Sequence, residues 1–200
     1  MKTLKKALFI TENTSVESNK HLAYLDAIEV NDLVDYIYKE HHQFYYAEEP
    51  ALTELITTCI NHLKLQDYNL ERLECLVGNL TNQLTNHFLV EETVLFPHIK
   101  DMADAKKNGS VVRPSGIENI SDPVKVMEVE HEASEAILEE IEAITDHYTP
   151  SPGAFESFTT LYQKLSALHK NLEQHIYIEN HILYPKAMSL EKELMNLTLL

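Results

Sequence analysis

His87-Phe-Leu-Val-Glu91-Glu-Thr-Val-Leu95-Phe-Pro97 returns 88 residues later as His175-Ile-Tyr-Ile-Glu179-Asn-His-Ile-Leu183-Tyr-Pro185, with histidine, glutamate, leucine and proline at matching places. In each copy the histidine and glutamate are four residues apart, which on a helix sets them on one face, a turn apart. The same face carries Leu73, Leu76, Leu80 and Leu84 ahead of His87, and Leu161, Leu165, Leu168 and Leu172 ahead of His175. Both polar pairs are therefore expected to point into a core. An uncompensated carboxylate there costs on the order of several kcal/mol, so something must supply positive charge.

Working outward, His131 lies on a stripe with Val124, Met127, Ser134, Leu138 and Ile141. A first helix is traced by Leu33, Val34, Ile37, His41 or His42, Phe44 or Tyr45, Leu52, Leu55, Ile56, Cys59 and Leu63, with a kink expected near Pro50. His42 and His131 are 89 residues apart, almost the offset of the longer repeat. Gln66 to Asn69 reads as a turn and Lys106 to Ser121 as the one long loop. Ser121-Asp122-Pro123 offers a helix start, and Thr149-Pro150-Ser151-Pro152-Gly153 closes the last connection. These signals predict an all-α chain: an antiparallel up-down four-helix bundle made of two helical hairpins related by a pseudo-two-fold axis. Residues 1–30 show no clear periodicity and read as an N-terminal extension; residues 31–200 form the bundle.

The charge of −16 with histidine neutral argues against a nucleic-acid partner, which calls for a basic stripe. The opening run of apolar residues, Ala7 to Ile10, is too short for a secretory segment, and no later run reaches the length of a membrane span. The sequence thus predicts a soluble cytoplasmic protein with no membrane association. Cys59 and Cys75 would face each other across the first hairpin, and they read as buried small hydrophobes rather than a disulfide.

A single His-x-x-x-Glu is common, and one histidine on an apolar stripe is usually a hydrogen-bonded core residue. Two pairs in a duplicated frame, with further core histidines between them, instead predict a metal centre. Imidazole with carboxylate suits iron, zinc, manganese or copper. If Glu91 and Glu179 each bridge two metals, each metal receives four protein donors. A bridging oxide or hydroxide makes five and leaves one position open, which fits two irons better than zinc.

The whole pattern resembles the hemerythrin-like di-iron proteins of the RIC family, named for repair of iron centres, over roughly residues 27 to 190. Its carriers are Asp32 to His42 with Pro50 eight residues later, His87 to Pro97, Pro123 to His131, and His175 to Pro185. The resemblance implies the ligands His42, His87, Glu91, His131, His175 and Glu179 around two non-haem irons, with the glutamates bridging. Periodicity does not choose between His41 and His42; the spacing to Pro50 selects His42 by similarity. Oxygen-carrying hemerythrins have a further histidine one turn after the third-helix ligand, where Glu135 stands here. Repair proteins often begin with a small domain bearing an adjacent cysteine pair, which the first 30 residues lack. The resemblance implies repair of iron–sulfur clusters damaged by nitric oxide or oxidants, by donation of labile iron or by nitric oxide binding or reduction. Its partners would be a diatomic ligand (nitric oxide or dioxygen) and iron–sulfur client proteins. The alternative is a module that binds or senses dioxygen or nitric oxide without turnover, so whether the chain is an enzyme stays open. A ferritin-like oxidase is disfavoured, because such sites are richer in carboxylate.

Around the six residues, Glu92, Glu128, Glu130 and Glu135 are candidates for hydrogen bonds to the ligands, Glu130 first among them, although for any one of them a solvated acidic face is the simpler reading. His21, His62, His98, His147, His169 and His181 have no counterpart in the repeat and read as exposed. Tyr45 and Tyr177 read as core packing rather than as metal neighbours, and Ser134 is small enough to leave room for a diatomic ligand.

Overall fold

The long breaker-poor stretches become long helices. In the computed structural model, residues 16–63 and 68–198 are described. α1 (Val16–Ala27) and α2 (Val30–Ile37) come first. A π turn (Tyr38–His42) then leads directly into α3 (Gln43–Leu63). α4 (Tyr68–Val90) runs through a second π turn (Glu91–Leu95) into α5 (Phe96–Asn108). α6 (Ser121–Ile144) is uninterrupted, and α7 (Glu156–Ile178) passes through a third π turn (Glu179–Leu183) into α8 (Tyr184–Thr198). No strand occurs among the described residues.

Local chemistry sets the ends. α5 stops where Gly109 adopts φ 63°, a left-handed cap that lets its N–H reach the carbonyl of Ala105. The loop therefore begins at Gly109 rather than Lys106. α6 begins at Ser121 with Ile120, which makes no side-chain cap bond, at the N-cap position, and the Asn119 side chain accepts the Ser121 N–H at 3.0 Å. α3 runs through Pro50 as one helix. Tyr68 and Asn69, expected in a turn, are already helical, while residues 66 and 67 lie outside the described residues.

Two apolar clusters form the interior. One joins Leu25 of α1, Leu33 and Ile37 of α2, Ile99 of α5, Val124 and Met127 of α6, and Leu183 and Ala187 beyond α7. The other joins Leu52 and Cys59 of α3, Leu73, Leu80 and Phe88 of α4, Leu138 and Ile141 of α6, and Leu165 and Leu172 of α7. Residues 1–30 gave no periodic signal, yet Val16–Ala27 is helical and Leu25 is fully buried against the first cluster. α3 packs chiefly on α7, and α4 chiefly on α6. Contacts along these pairs run Glu48 to Lys164 and His41 to Asn171 on one side, Arg72 to Glu140 and Gln83 to Ser134 on the other. Between the clusters, at one level, lie His41, His42, His87, Glu91, His131, Ser134, His175 and Glu179, all buried.

Cys59 is buried and Cys75 is exposed; both are free, so only Cys59 behaves as a core residue. No helix among the described residues is long and apolar enough to cross a membrane. Because Leu80 is fully buried in the second cluster, Leu80→Ala should cost about 2–5 kcal/mol. Urea unfolding is expected to show a lower midpoint at an unchanged slope.

Candidate metal centre

The three π turns explain how so many polar groups reach one level. Each widens its helix by one residue, seen in the bonds from the N–H of Gln43 to the Tyr38 carbonyl, of Phe96 to Glu91, and of Tyr184 to Glu179. The second and third sit at the same offset of 88 as the sequence repeat. In the first, both His41 and His42 turn inward.

The structure brings all six expected residues together. His87, Glu91, His131, His175 and Glu179 each offer an atom within 4.8 Å of all the others. His42 joins them through its Nε2, 3.3 Å from Glu91 Oε2. His87 Nε2 is 3.3 Å from Glu91 Oε1, and His131 and His175 Nε2 are each 3.2 Å from Glu179 Oε2. Two donors bound to one ion at about 2.1 Å and a right angle stand about 3.0 Å apart, so these separations suit a shared cation.

Proton placement strengthens the case. His42 Nδ1 faces Glu92 Oε1 at 2.8 Å and His87 Nδ1 faces Glu130 Oε2 at 2.7 Å. A carboxylate only accepts, so both Nδ1 atoms donate, and in the neutral rings Nε2 presents a lone pair to Glu91. Lone pair against carboxylate at 3.3 Å is repulsive unless a proton or a metal ion lies between. Among the described residues, His42 Nε2, Glu91 Oε2, His175 Nε2 and Glu179 Oε1 are buried without a hydrogen-bond partner. The donor set therefore fits a cation.

Electrostatics of the metal-free chain point the same way. Burial and neighbouring Glu179 oppose ionisation of Glu91, but His87 and His42 outweigh them and lower its pKa. Burial likewise opposes ionisation of Glu179, yet His175 and His131 hold it well below the ordinary 4.5. Burial would depress His87, but Glu91, Glu179 and Glu130 raise it to about 9. His41 follows its burial and the nearby His175 down to about 4.

Several neighbours give the site its shape. The His42 ring lies between Phe88 (centroids 4.1 Å apart) and Phe96 (5.5 Å), both nearly parallel to it. Tyr184 places its hydroxyl 3.0 Å from Glu91 Oε1 and 2.9 Å from Glu179 Oε2, and with one hydrogen it donates to one at a time. Burial and both carboxylates raise its pKa well above the ordinary 10.0. Sequence patterning passed over Tyr184, although it replaces Phe96 in the repeat. Tyr45 instead binds the Thr81 carbonyl within the second cluster, and Tyr177 stacks on His181, so neither reaches the carboxylates.

Glu92 and Glu130 do support site histidines, whereas Glu128 is exposed and Glu135 half-buried. His41 is buried beside the site, its Nδ1 donating to Asn171 Oδ1 at 3.1 Å. Ser134 is buried, but its hydroxyl accepts from Gln83 Nε2 at 3.0 Å. His98 and His169 are buried rather than exposed, against the sequence expectation. Ser115 satisfies His98 at 2.7 Å, and Tyr148, at φ 60°, satisfies His169 at 2.7 Å. His21, His147 and His181 are exposed, and the side chain of His62 lies outside the described residues.

The hemerythrin HHE cation-binding domain matches residues 32–187. The chain belongs to this family. The iron–sulfur cluster repair protein YtfE of Salmonella schwarzengrund is 27% identical over 164 residues, covering 82% of this chain and 68% of the relative. The proteins of the same name from Salmonella paratyphi B and Salmonella newport match at the same identity and coverage. The family's cation-binding description and the buried His/Glu cluster thus fall on the same residues.

The raised His87 stabilises the metal-free fold below its unfolded value near 6.5, and that contribution is lost as pH rises through about 9. The depressed Glu179 stabilises above its unfolded value near 4.5, and its contribution is lost as pH falls through its lower folded value. Thermal melts of chelator-treated protein should therefore peak between these limits. A midpoint that climbs steadily from neutrality to pH 10 would contradict the assignment.

Proposed function

We propose that this chain is a di-iron protein serving repair of iron–sulfur clusters damaged by nitrosative or oxidative stress. His42, His87, Glu91, His131, His175 and Glu179 would hold two non-haem irons, with both glutamates bridging and an oxo or hydroxo bridge between the metals. The observation that carries this reading is the set of four imidazoles converging on two fully buried carboxylates, each with one oxygen that has no hydrogen-bond partner among the described residues. The repair role is supported by the names of the relatives.

The reversed order of contacts along α3 with α7 and α4 with α6 supports an antiparallel up-down four-helix bundle of two related hairpins. On this reading residues 31–200 are the iron-binding unit, residues 1–30 are an extension, and the protein works in the cytoplasm.

Iron bound here would supply redox-active, Lewis-acidic centres able to take nitric oxide or dioxygen or to be given up to a client. The chain's own part is to hold and shield. Glu92 and Glu130 fix the tautomers of His42 and His87 so that Nε2 faces inward. Phe88 and Phe96 clamp the His42 ring and exclude water from that side. Tyr184 keeps its proton and donates it as a hydrogen bond to a bridging carboxylate. The absence of a histidine at position 135 leaves one fewer nitrogen donor than an oxygen carrier has, which favours a reactive and labile centre over reversible carriage.

Metal analysis with an absorption spectrum of the purified protein, beside Glu179→Leu, tests this directly. Two irons per chain with near-ultraviolet bands, lost in the variant, are expected. One zinc or no metal, with the variant equally well folded, would sink the proposal.

A further inference from the structure

The four imidazoles that face the carboxylates are not supported alike. His42 and His87 each give Nδ1–H to a carboxylate, Glu92 at 2.8 Å and Glu130 at 2.7 Å. His131 Nδ1 meets only the amide oxygen of Asn180 at 2.9 Å. His175 Nδ1 is buried with no hydrogen-bond partner among the described residues.

A carboxylate behind an imidazole pulls on its proton, enriches the opposite nitrogen in electron density and fixes the ring. A neutral amide does this weakly, and an unpartnered nitrogen gains nothing. The inequality is not scattered but follows the two halves of the site. His42 and His87 approach Glu91, both at 3.3 Å, whereas His131 and His175 approach Glu179, both at 3.2 Å. The contact of 3.1 Å between the Nε2 atoms of His87 and His131 marks the seam between them. The strong half is also braced from behind. Glu92 Oε1 accepts a second bond from the Tyr46 hydroxyl at 2.9 Å, and the Glu130 carbonyl accepts from Gln83 at 2.6 Å.

We infer that the two cation positions are unequal: one is held strongly at His42 and His87, and the other, at His131 and His175, is the position from which metal leaves. This rests on the di-iron reading above and assigns Glu92 and Glu130 as positioning residues of the retained ion.

The test loads the full chain with two equivalents of iron(II) in the absence of oxygen and follows its capture by an excess of a chromogenic iron(II) chelator. Two phases of one equivalent each are expected, at least about tenfold apart in rate, since such supports change metal affinity by about 10–100-fold. Asn180→Asp, which puts a carboxylate behind His131, should slow the fast phase and leave the slow one. Glu92→Gln should do the reverse, speeding the slow phase alone. Both changes are near-isosteric, and circular dichroism of the variants reports that the helices are intact. Release of both equivalents in a single phase by the unaltered chain overturns the inequality while leaving the di-iron reading standing. A chain that takes up no iron overturns both, and so separates the two failures.

Discussion

Two carboxylates with no exposure to solvent, Glu91 and Glu179, are the constraint around which the rest of this molecule is arranged. Apolar clusters lie on both sides of them. Their charge must be met inside. Four imidazoles from four long helical stretches converge to do so, and Tyr184 adds a hydrogen bond to the pair. Every helix that brings an imidazole to this level is thereby tied to the others by electrostatics as well as packing. The ties act in a buried, low-dielectric place where an unmet charge is most costly.

The π turns are the backbone's answer to that demand. A regular helix advances about 100° per residue, so a leucine stripe, a histidine, a glutamate four on and a tyrosine five beyond that cannot all share one face. One extra residue in the turn at Glu91–Leu95 and again at Glu179–Leu183 restores the alignment. Leu95 and Leu183 then rejoin the first cluster on the far side of the band. In the turn at Tyr38–His42 the same device brings two consecutive histidines inward, which a regular helix would set about 100° apart. α6, which brings one histidine, contains no such turn.

This accounts for what the sequence disclosed and what it withheld. His87, Glu91, His131, His175 and Glu179 were legible because they are polar residues on leucine stripes, twice over in the same frame. His41 and His42 could not be separated by a 3.6-residue period, because the helix does not keep that period there. Tyr184 was missed for the same reason: counted at 100° per residue it falls off the face of Glu179. Asn180 and Asn171 look like surface residues in one dimension and acquire their roles only through helices packed beside them, His131 being 49 residues from its partner and His41 130. His98 and His169 were misjudged because the residues that satisfy them, Ser115 in a loop and Tyr148 in a left-handed turn, carry no periodic signal. Among the described side chains of the helix Val16–Ala27, Leu25 is buried in the first cluster and Leu22 packs against it, too little apolar periodicity to announce itself.

The separation of the interior into two clusters bears on how such a site can hold metal and still survive its loss. None of the six expected ligands belongs to either cluster, though Phe88, Phe96 and Tyr184 beside them do, and each cluster joins segments of at least four helices. Apolar burial on both sides therefore holds the helices at fixed separation whether or not a cation lies between them. In the metal-free chain the positive charge that Glu91 and Glu179 require is met by protons, since both His42 and His87 are pushed above their ordinary value despite burial. His41 and His175, next to the same carboxylates but dominated by their burial, are pushed the other way. Carboxylates, Glu92 and Glu130, stand behind the rings on the side of Glu91, while on the side of Glu179 both ring nitrogens of His175 lack a hydrogen-bond partner among the described residues. On the proposed reading, a cation at the first side would meet carboxylate-backed nitrogens and be held firmly, and one at the second would meet nitrogens without that backing and be held less firmly. The unevenness of the hydrogen bonds behind the four imidazoles thus follows the division of the site between its two carboxylates.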